Sequence, residues 1–459
     1  LIRGVVRPFE SLWALVWWQT AAGIGTALLT WHLLVHRLAV PRRVATVGTC
    51  LLAIEPAQLS YERMVLAESF GLLAFALFVA AAAAYIASGR WWWLPLVALA
   101  GLAAATLRLN YVPVVLVISV IAPLLRALQE RQLRALWEGQ TLRVAQRAGS
   151  VPPSRTSVPP SRTSVPPSRT SPWRNPSWRQ TVVHTAIAVA SVVVTHGTFQ
   201  QWVALIFDAP PGYIARAGFM QLGLVMPLVE PEHLERVGLP RDFAQHLRFR
   251  LDDPDARMPH QWAPGGFVRT LRERGIPVED VARPLARMAL TDDPFGLVRM
   301  GVHTVGNYFR REGIRHALDN DLGRRVIPHE ILWTLREIWH YDASGLWTRT
   351  TAISWYFEKG TWSLVLWLFV LAPLGIANAI ALWRTPLRAQ AVLVGLIAIG
   401  LVLAHVLFVP VAFYRYLHPL PVFVLINLLP LVAGSYATQV TLCVPCKEGQ
   451  PSAPPLPDA

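Results

Sequence analysis

Nine apolar stretches, each near the length a helix needs to cross a bilayer, run through this chain and leave it few folds to choose from. They cover residues 12–35, 44–59, 64–87, 91–107, 112–125, 181–207, 362–383, 389–409 and 420–438. About 20 mostly apolar residues span the hydrocarbon core, and within it backbone polar groups must be satisfied inside the protein, which leaves helices or closed barrels. With 53% apolar and 15% charged residues and a mean hydropathy of +0.38, the chain falls outside the range of ordinary soluble domains. The expected fold is an all-α polytopic membrane protein.

Net charge is +14 over 459 residues, which in a soluble protein would point to nucleic acid. Its placement says otherwise. Residues 207–360 carry 20 basic and 20 acidic side chains, so the whole excess lies among the apolar segments and their connectors. That is a positive-inside pattern, and nucleic acid is not an expected partner. The segment 44–59 is the weakest, being short and holding Glu55 and Pro56. If it crosses, Arg37, Arg42, Arg43, the stretch 126–179, Arg384 and Arg388 all fall on the cytoplasmic side; without it the rule breaks. The N-terminus and 207–360 are then extracytoplasmic. Trp17, Trp18, Trp91 to Trp93 and Trp362 sit near span ends, where indole rings favour the headgroup layer.

The organisation follows: helices in 1–126, a basic cytoplasmic linker at 127–180, a span at 181–206, an outer domain at 207–360, closing spans in 361–438 and a cytoplasmic tail at 439–459. The stretch Leu1 to Ser11 has neither the charged, apolar and small-residue order of a signal peptide nor the length of a span. In the linker VPPSRTS occurs three times, at 151–157, 158–164 and 165–171, a composition that cannot build a core. Helical periodicity in 278–289, 294–309 and 328–340 predicts a mainly helical outer domain lying on the membrane surface. Three cysteines (Cys50, Cys443, Cys446) provide no disulfide framework, and the lone C-x-x-C of the tail is a weak zinc or redox signal. His184 and His196 fall about 120° apart on their helix, against joint metal binding. Asp252, Asp253 and Asp255, like Asp292 and Asp293, read as turns or caps beside proline rather than a calcium loop.

Positive charge is disfavoured on the outer face, yet three short outer connectors each carry an arginine with polar neighbours. These are Tyr61-Glu62-Arg63, Arg108-Leu109-Asn110-Tyr111 and Tyr414-Arg415-Tyr416-Leu417-His418. A single such arginine often only snorkels to lipid phosphate. Three on one face point to an anionic lipid headgroup, because guanidinium suits bidentate phosphate recognition. Glu68, just inside the third span, is costly unless paired or bound to a cation; a neighbouring arginine such as Arg63 is its expected structural partner.

Taken together these features resemble the GT-C membrane glycosyltransferases, in particular the family 39-like branch related to protein O-mannosyltransferases and aminoarabinose transferases. The likeness rests on Gln19, on 56–69 (PAQLSYERMVLAES), on 100–111 (AGLAAATLRLNY), on the D-P before an amphipathic helix in 290–309 and on 415–421 (RYLHPLP). The resemblance implies a GT-C-like bundle of about nine transmembrane helices in a bacterial plasma membrane. It implies transfer of a sugar from a polyprenyl-phosphate donor to a lipid, polysaccharide or protein acceptor at the outer face. Arg63, Arg108 and Arg415 would bind the donor phosphate, Tyr61, Asn110, Tyr111, Tyr416 and His418 would position the donor, and Glu68 would be the catalytic carboxylate or contact a divalent cation. The family's general base lies in its first outer loop. This chain begins, at Leu1, inside what resembles that loop, with Glu10 its only acid there, so the resemblance puts the main general base upstream of Leu1. A lipid-linked oligosaccharide flippase or transporter, an O-antigen polymerase or ligase and a non-catalytic homologue are the alternatives.

Overall fold

A computed structural model describes residues 11–55, 58–59, 67–149, 178–215, 217–310, 328–344 and 352–437. The stretch from Leu1 to Glu10, where the first outer loop was expected, lies outside the described residues, as do Tyr61, Arg63, the VPPSRTS repeats and the Cys443/Cys446 tail. The general base expected upstream of Leu1 lies outside this sequence, while Glu68 is among the described residues.

The first helix, α1 (Leu12–Arg37), opens at Ser11, whose hydroxyl accepts from the Trp13 backbone N–H at 3.2 Å. It is followed by α2 (Arg42–Ala53), α3 (Glu68–Ser88) and α4 (Trp93–Leu107). A 3₁₀ turn (Leu109–Tyr111) then leads into α5 (Val112–Gly149), and α6 (Trp178–Phe207) follows. The chain returns to the bundle as α14 (Ala352–Ala381), α15 (Arg388–Phe408) and α16 (Leu420–Ala437). Among the described residues there is no strand, and six helices are long and apolar enough to cross a membrane. The chain is an all-α, multi-pass integral membrane protein.

Two of the nine expected spans are short: helix α4 has 15 residues and α2 has 12, or about 18 Å of helix. Helix α2 stops before Pro56, and the Glu55 carboxylate accepts from the Gln58 backbone N–H at 2.7 Å to start the next turn. The segment nonetheless runs antiparallel along α16: Gly48 lies against Leu425 and Leu429, and Gln58 reaches His418, just before α16 begins.

Helix α3 is the centre of the bundle, packing against α1, α4, α5 and α15. It is apolar on every side, and its run of alanines from Ala80 to Ala84 lets neighbouring backbones come close. Helix α6 packs mainly on α4 and α5, at the periphery, while α14 and α16 close the other side, with an Asn378–Asn427 hydrogen bond of 3.3 Å between them.

Between α6 and α14 the chain builds a second unit from α7 (Gly218–Val225), α8 (Pro231–Arg236), α9 (Arg257–Trp262), α10 (Phe267–Glu273), α11 (Val278–Asp292), α12 (Gly296–Asn307) and α13 (His329–Glu337). Its own core gathers Leu222, Met226, Phe243, Phe267, Leu271 and Leu285. Along α11, Val281, Leu285 and Ala289 recur on one face at helical spacing and are buried there. Two contacts seat this unit on one end of the bundle. Helix α12 packs on the last turns of α15, and Leu335, Trp339 and Tyr341 cover Leu12, Leu15 and Phe70.

Candidate functional site

Glu68 occupies the first turn of α3, where the helix dipole favours a carboxylate. Arg108 closes α4 in an extended conformation (φ −146°, ψ 105°), turning the chain into the 3₁₀ turn and directing its side chain back across α3. Gly71 makes this possible, because a Cβ there would sit 3.3 Å from the Arg108 Cγ. Arg108 Nη2 lies 3.3 Å from Glu68 Oε1 and donates to the Arg415 carbonyl at 2.6 Å. Both side chains are almost wholly removed from solvent, 6% and 11% exposed. Among the described residues the partner of Glu68 is Arg108, across the α3–α4 hairpin; Arg63, the sequence neighbour expected in that role, lies outside them.

Arg415 lies on the 3₁₀ turn Tyr414–Tyr416, between α15 and α16. Its guanidinium stands 5.0 Å from the Phe413 ring centre and 5.2 Å from that of Tyr416, a cation–π arrangement, while its backbone carbonyl meets Arg108. His418 is buried and its Nε2 donates to Gln58 Oε1 at 2.5 Å. Desolvation, with the nearby Arg108 charge, pushes this imidazole well below its ordinary 6.5, so it is neutral. Tyr111 is fully buried, its ring stacked on Phe75 at 4.4 Å, with the Arg108 guanidinium 5.9 Å from its centre. The Tyr111 hydroxyl and the Arg108 guanidinium are both buried and face one another, coupled by charge and a side-chain hydrogen bond. Asn110 stands half-buried on its turn, outside this network.

The fold thus gathers Glu68, Arg108, Tyr111, Arg415, Tyr416 and His418, from three separate stretches of chain, at one end of the bundle. Sequence reasoning missed two neighbours. His405, in the last turn of α15, is buried with neither ring nitrogen hydrogen-bonded among the described residues; its ring lies 5.7 Å from that of Tyr308. Tyr308, just past α12, donates its hydroxyl to the Phe413 carbonyl at 2.9 Å and so fixes the approach to the Arg415 turn. The only hint for either was a polar ring placed at helical spacing among apolar residues.

The remaining candidates fall elsewhere. His184 Nδ1 is 2.8 Å from the Tyr85 hydroxyl and His196 Nδ1 is 2.7 Å from that of Tyr213, so the two histidines have different partners. Asp253 caps the 3₁₀ turn Pro254–Ala256 by accepting from the Asp255 backbone N–H at 2.9 Å, as its sequence suggested. Asp255 collects His303 Nε2 (2.7 Å), Asn307 Nδ2 (2.6 Å) and Arg310 (3.4 Å), a cluster that ties the loop to α12. A cavity of about 760 Å³, lined by Asp208, Phe219, Arg272, Ile276 and Glu279 among others, shares no residue with the arginine cluster. Among the described residues no three His, Cys, Asp or Glu side chains come together as a metal site, and the one carboxylate at the cluster is already paired with Arg108. These residues do not form a fit for a divalent cation.

No protein-family model, curated protein or solved structure matches the chain.

Proposed function

We propose that this chain is a membrane glycosyltransferase of the GT-C type, with nine crossings, that moves a sugar from a polyprenyl-phosphate donor to an acceptor at the outer membrane face. One observation carries the reading: a buried guanidinium, that of Arg108, paired with the Glu68 carboxylate and bonded to the Arg415 carbonyl, stands at the end of an otherwise apolar bundle. A phosphate oxygen is a natural complement for a guanidinium N–H.

In such a transfer the acceptor oxygen attacks the anomeric carbon while the bond from that carbon to the phosphate oxygen breaks. The electron pair leaves with the polyprenyl phosphate, and the acceptor proton passes to a carboxylate. Arg108 and Arg415 stabilise the charge that grows on the leaving phosphate. Glu68 is the carboxylate at hand, with Tyr416 and His418 bordering the donor. Tyr111 supplies its hydroxyl edge only, since its ring is committed to Phe75.

Binding of the leaving group tests this without knowledge of the sugar or acceptor. Purified protein in nanodiscs should gain thermal stability with added polyprenyl phosphate, and Arg415→Ala should lose that gain while keeping its own melting temperature. Equal shifts from polyprenyl phosphate and polyprenol would refute phosphate recognition.

A further inference from the structure

We infer that α12 is itself a membrane-embedded element: a helix lying along the rim of the bundle with one apolar stripe immersed in the lipid of the surrounding bilayer. This stands independently of the transferase reading.

Around α12 three faces can be told apart. Gly301, Thr304 and Tyr308 form the face on the bundle. A Cβ at Gly301 would lie 1.9 Å from the Val406 carbonyl oxygen, so the helix backbone sits directly on the last turns of α15. Thr304 Oγ1 donates to the Val409 carbonyl at 3.3 Å, and the Tyr308 hydroxyl to that of Phe413. A second face is polar: Arg299 pairs with Asp293, and His303 bonds Asp255.

The third face lies between these two on the helix surface. Phe295, Val298, Val302 and Phe309 fall within an arc of about 60° at helical spacing, and all are exposed, Phe295 by 74% and Val302 by 62%. In water, four large apolar side chains in one row would be a liability. Two observations name what covers them. The contact with Val406 and Val409 sets the height of α12 at the end of a membrane span, level with the headgroup and upper acyl region. The stripe also continues onto a span, because the Phe309 ring lies 5.7 Å from that of Phe369, itself half-exposed on α14 beside Leu366 and Val370. The outward face of a spanning helix at that position is turned to lipid, and the stripe extends that surface. This is the geometry of an interfacial amphipathic helix, apolar side in the acyl boundary and charged side in water.

Site-directed spin labelling in nanodiscs tests the inference. With Cys50, Cys443 and Cys446 replaced, single cysteines at Val298, Val302 and, as a water-facing control, Arg287 would carry the label. All are exposed positions, so the fold should tolerate them, and unchanged elution and helicity would verify that. The expected result is high collision with oxygen at 298 and 302 and several-fold less collision with a water-soluble nickel chelate than at 287. Nickel access equal to that at 287 would overturn the inference. So would spin–spin broadening at 302 that disappears on dilution with unlabelled protein, since a second copy would then be the occupant.

Discussion

Replacing Arg108 by methionine keeps the length of the stem while removing the charge, and the structure says what that should cost. The guanidinium makes a 3.3 Å ion pair with Glu68 and a 2.6 Å hydrogen bond to the Arg415 carbonyl, with both side chains shielded from water. Screening, which reduces exposed pairs to about 0–1 kcal/mol, does not operate here. Removing one partner of a buried pair strands the other charge, at a cost of about 3–5 kcal/mol. Glu68→Gln should be milder, about 1–2 kcal/mol, because the amide still accepts from the guanidinium and the carbonyl bond is retained. In the double variant the stranded charge is gone, so its cost should fall short of the sum of the two by more than about 1 kcal/mol. The assay is unfolding of the purified protein by titrated denaturing detergent, followed by circular dichroism, across the four members of the cycle. Strictly additive losses, or a loss for Arg108→Met of under about 1 kcal/mol, would refute the claim that this pair locks α3 to the α4–α5 turn and the Arg415 turn.

Three further outcomes follow from contacts outside the pair. Tyr308→Phe removes the hydroxyl that holds the Phe413 carbonyl; about 1–2 kcal/mol of local stability should be lost, seen as faster amide exchange over residues 411–417. Gly301→Ala forces a methyl group against the Val406 carbonyl; α12 should be pushed from α15 at a cost of about 1–3 kcal/mol, measured by detergent unfolding, whereas Gly306→Ala, with open space around it, should be neutral or slightly stabilising. His260 is fully buried, its Nε2 donating to the Arg250 carbonyl at 3.0 Å, and desolvation pushes its imidazole below the ordinary 6.5. The unfolded chain then binds a proton that the folded chain refuses, so stability should be full above about pH 6.5 and decline as pH falls through that value. Exchange of the amides of α9 between pH 7.5 and 5 checks this, with His260→Gln flattening the profile; the lowered carboxyl of Asp255 acts only below its ordinary 3.8 and leaves that window untouched.

Hydropathy and charge made the bundle legible, since a buried α3 or α15 advertises itself as an unbroken apolar run. Position along a helix end was equally legible, which is why Glu68, Arg108 and Arg415 stood out before any geometry existed. What pairs with what was not. Glu68 meets Arg108 because the α3–α4 hairpin folds distant residues together and Gly71 leaves room for the crossing, a relation that local spacing does not encode. Tyr111 looked like a ligand contact by its place beside Arg108, yet its ring is packed on Phe75 from another helix. His405 and Tyr308 were invisible for the same reason, their roles being set by the meeting of α12 with α15. The amphipathic period of 294–309 was readable, but the division of α12 into a bundle face, a lipid face and a water face required the contact with Val406.

The most direct test of the central claim is transfer of radiolabelled sugar from a panel of polyprenyl-phosphate donors in membranes containing the full gene product. Wild type is compared with Arg415→Ala and Glu68→Gln at matched protein levels. Label should move to an endogenous acceptor in wild type, with near-complete loss in both variants. Undiminished transfer in both variants, or none from any donor with folded wild-type protein in the membrane, would contradict the transferase reading and leave lipid flipping or a non-catalytic role in its place.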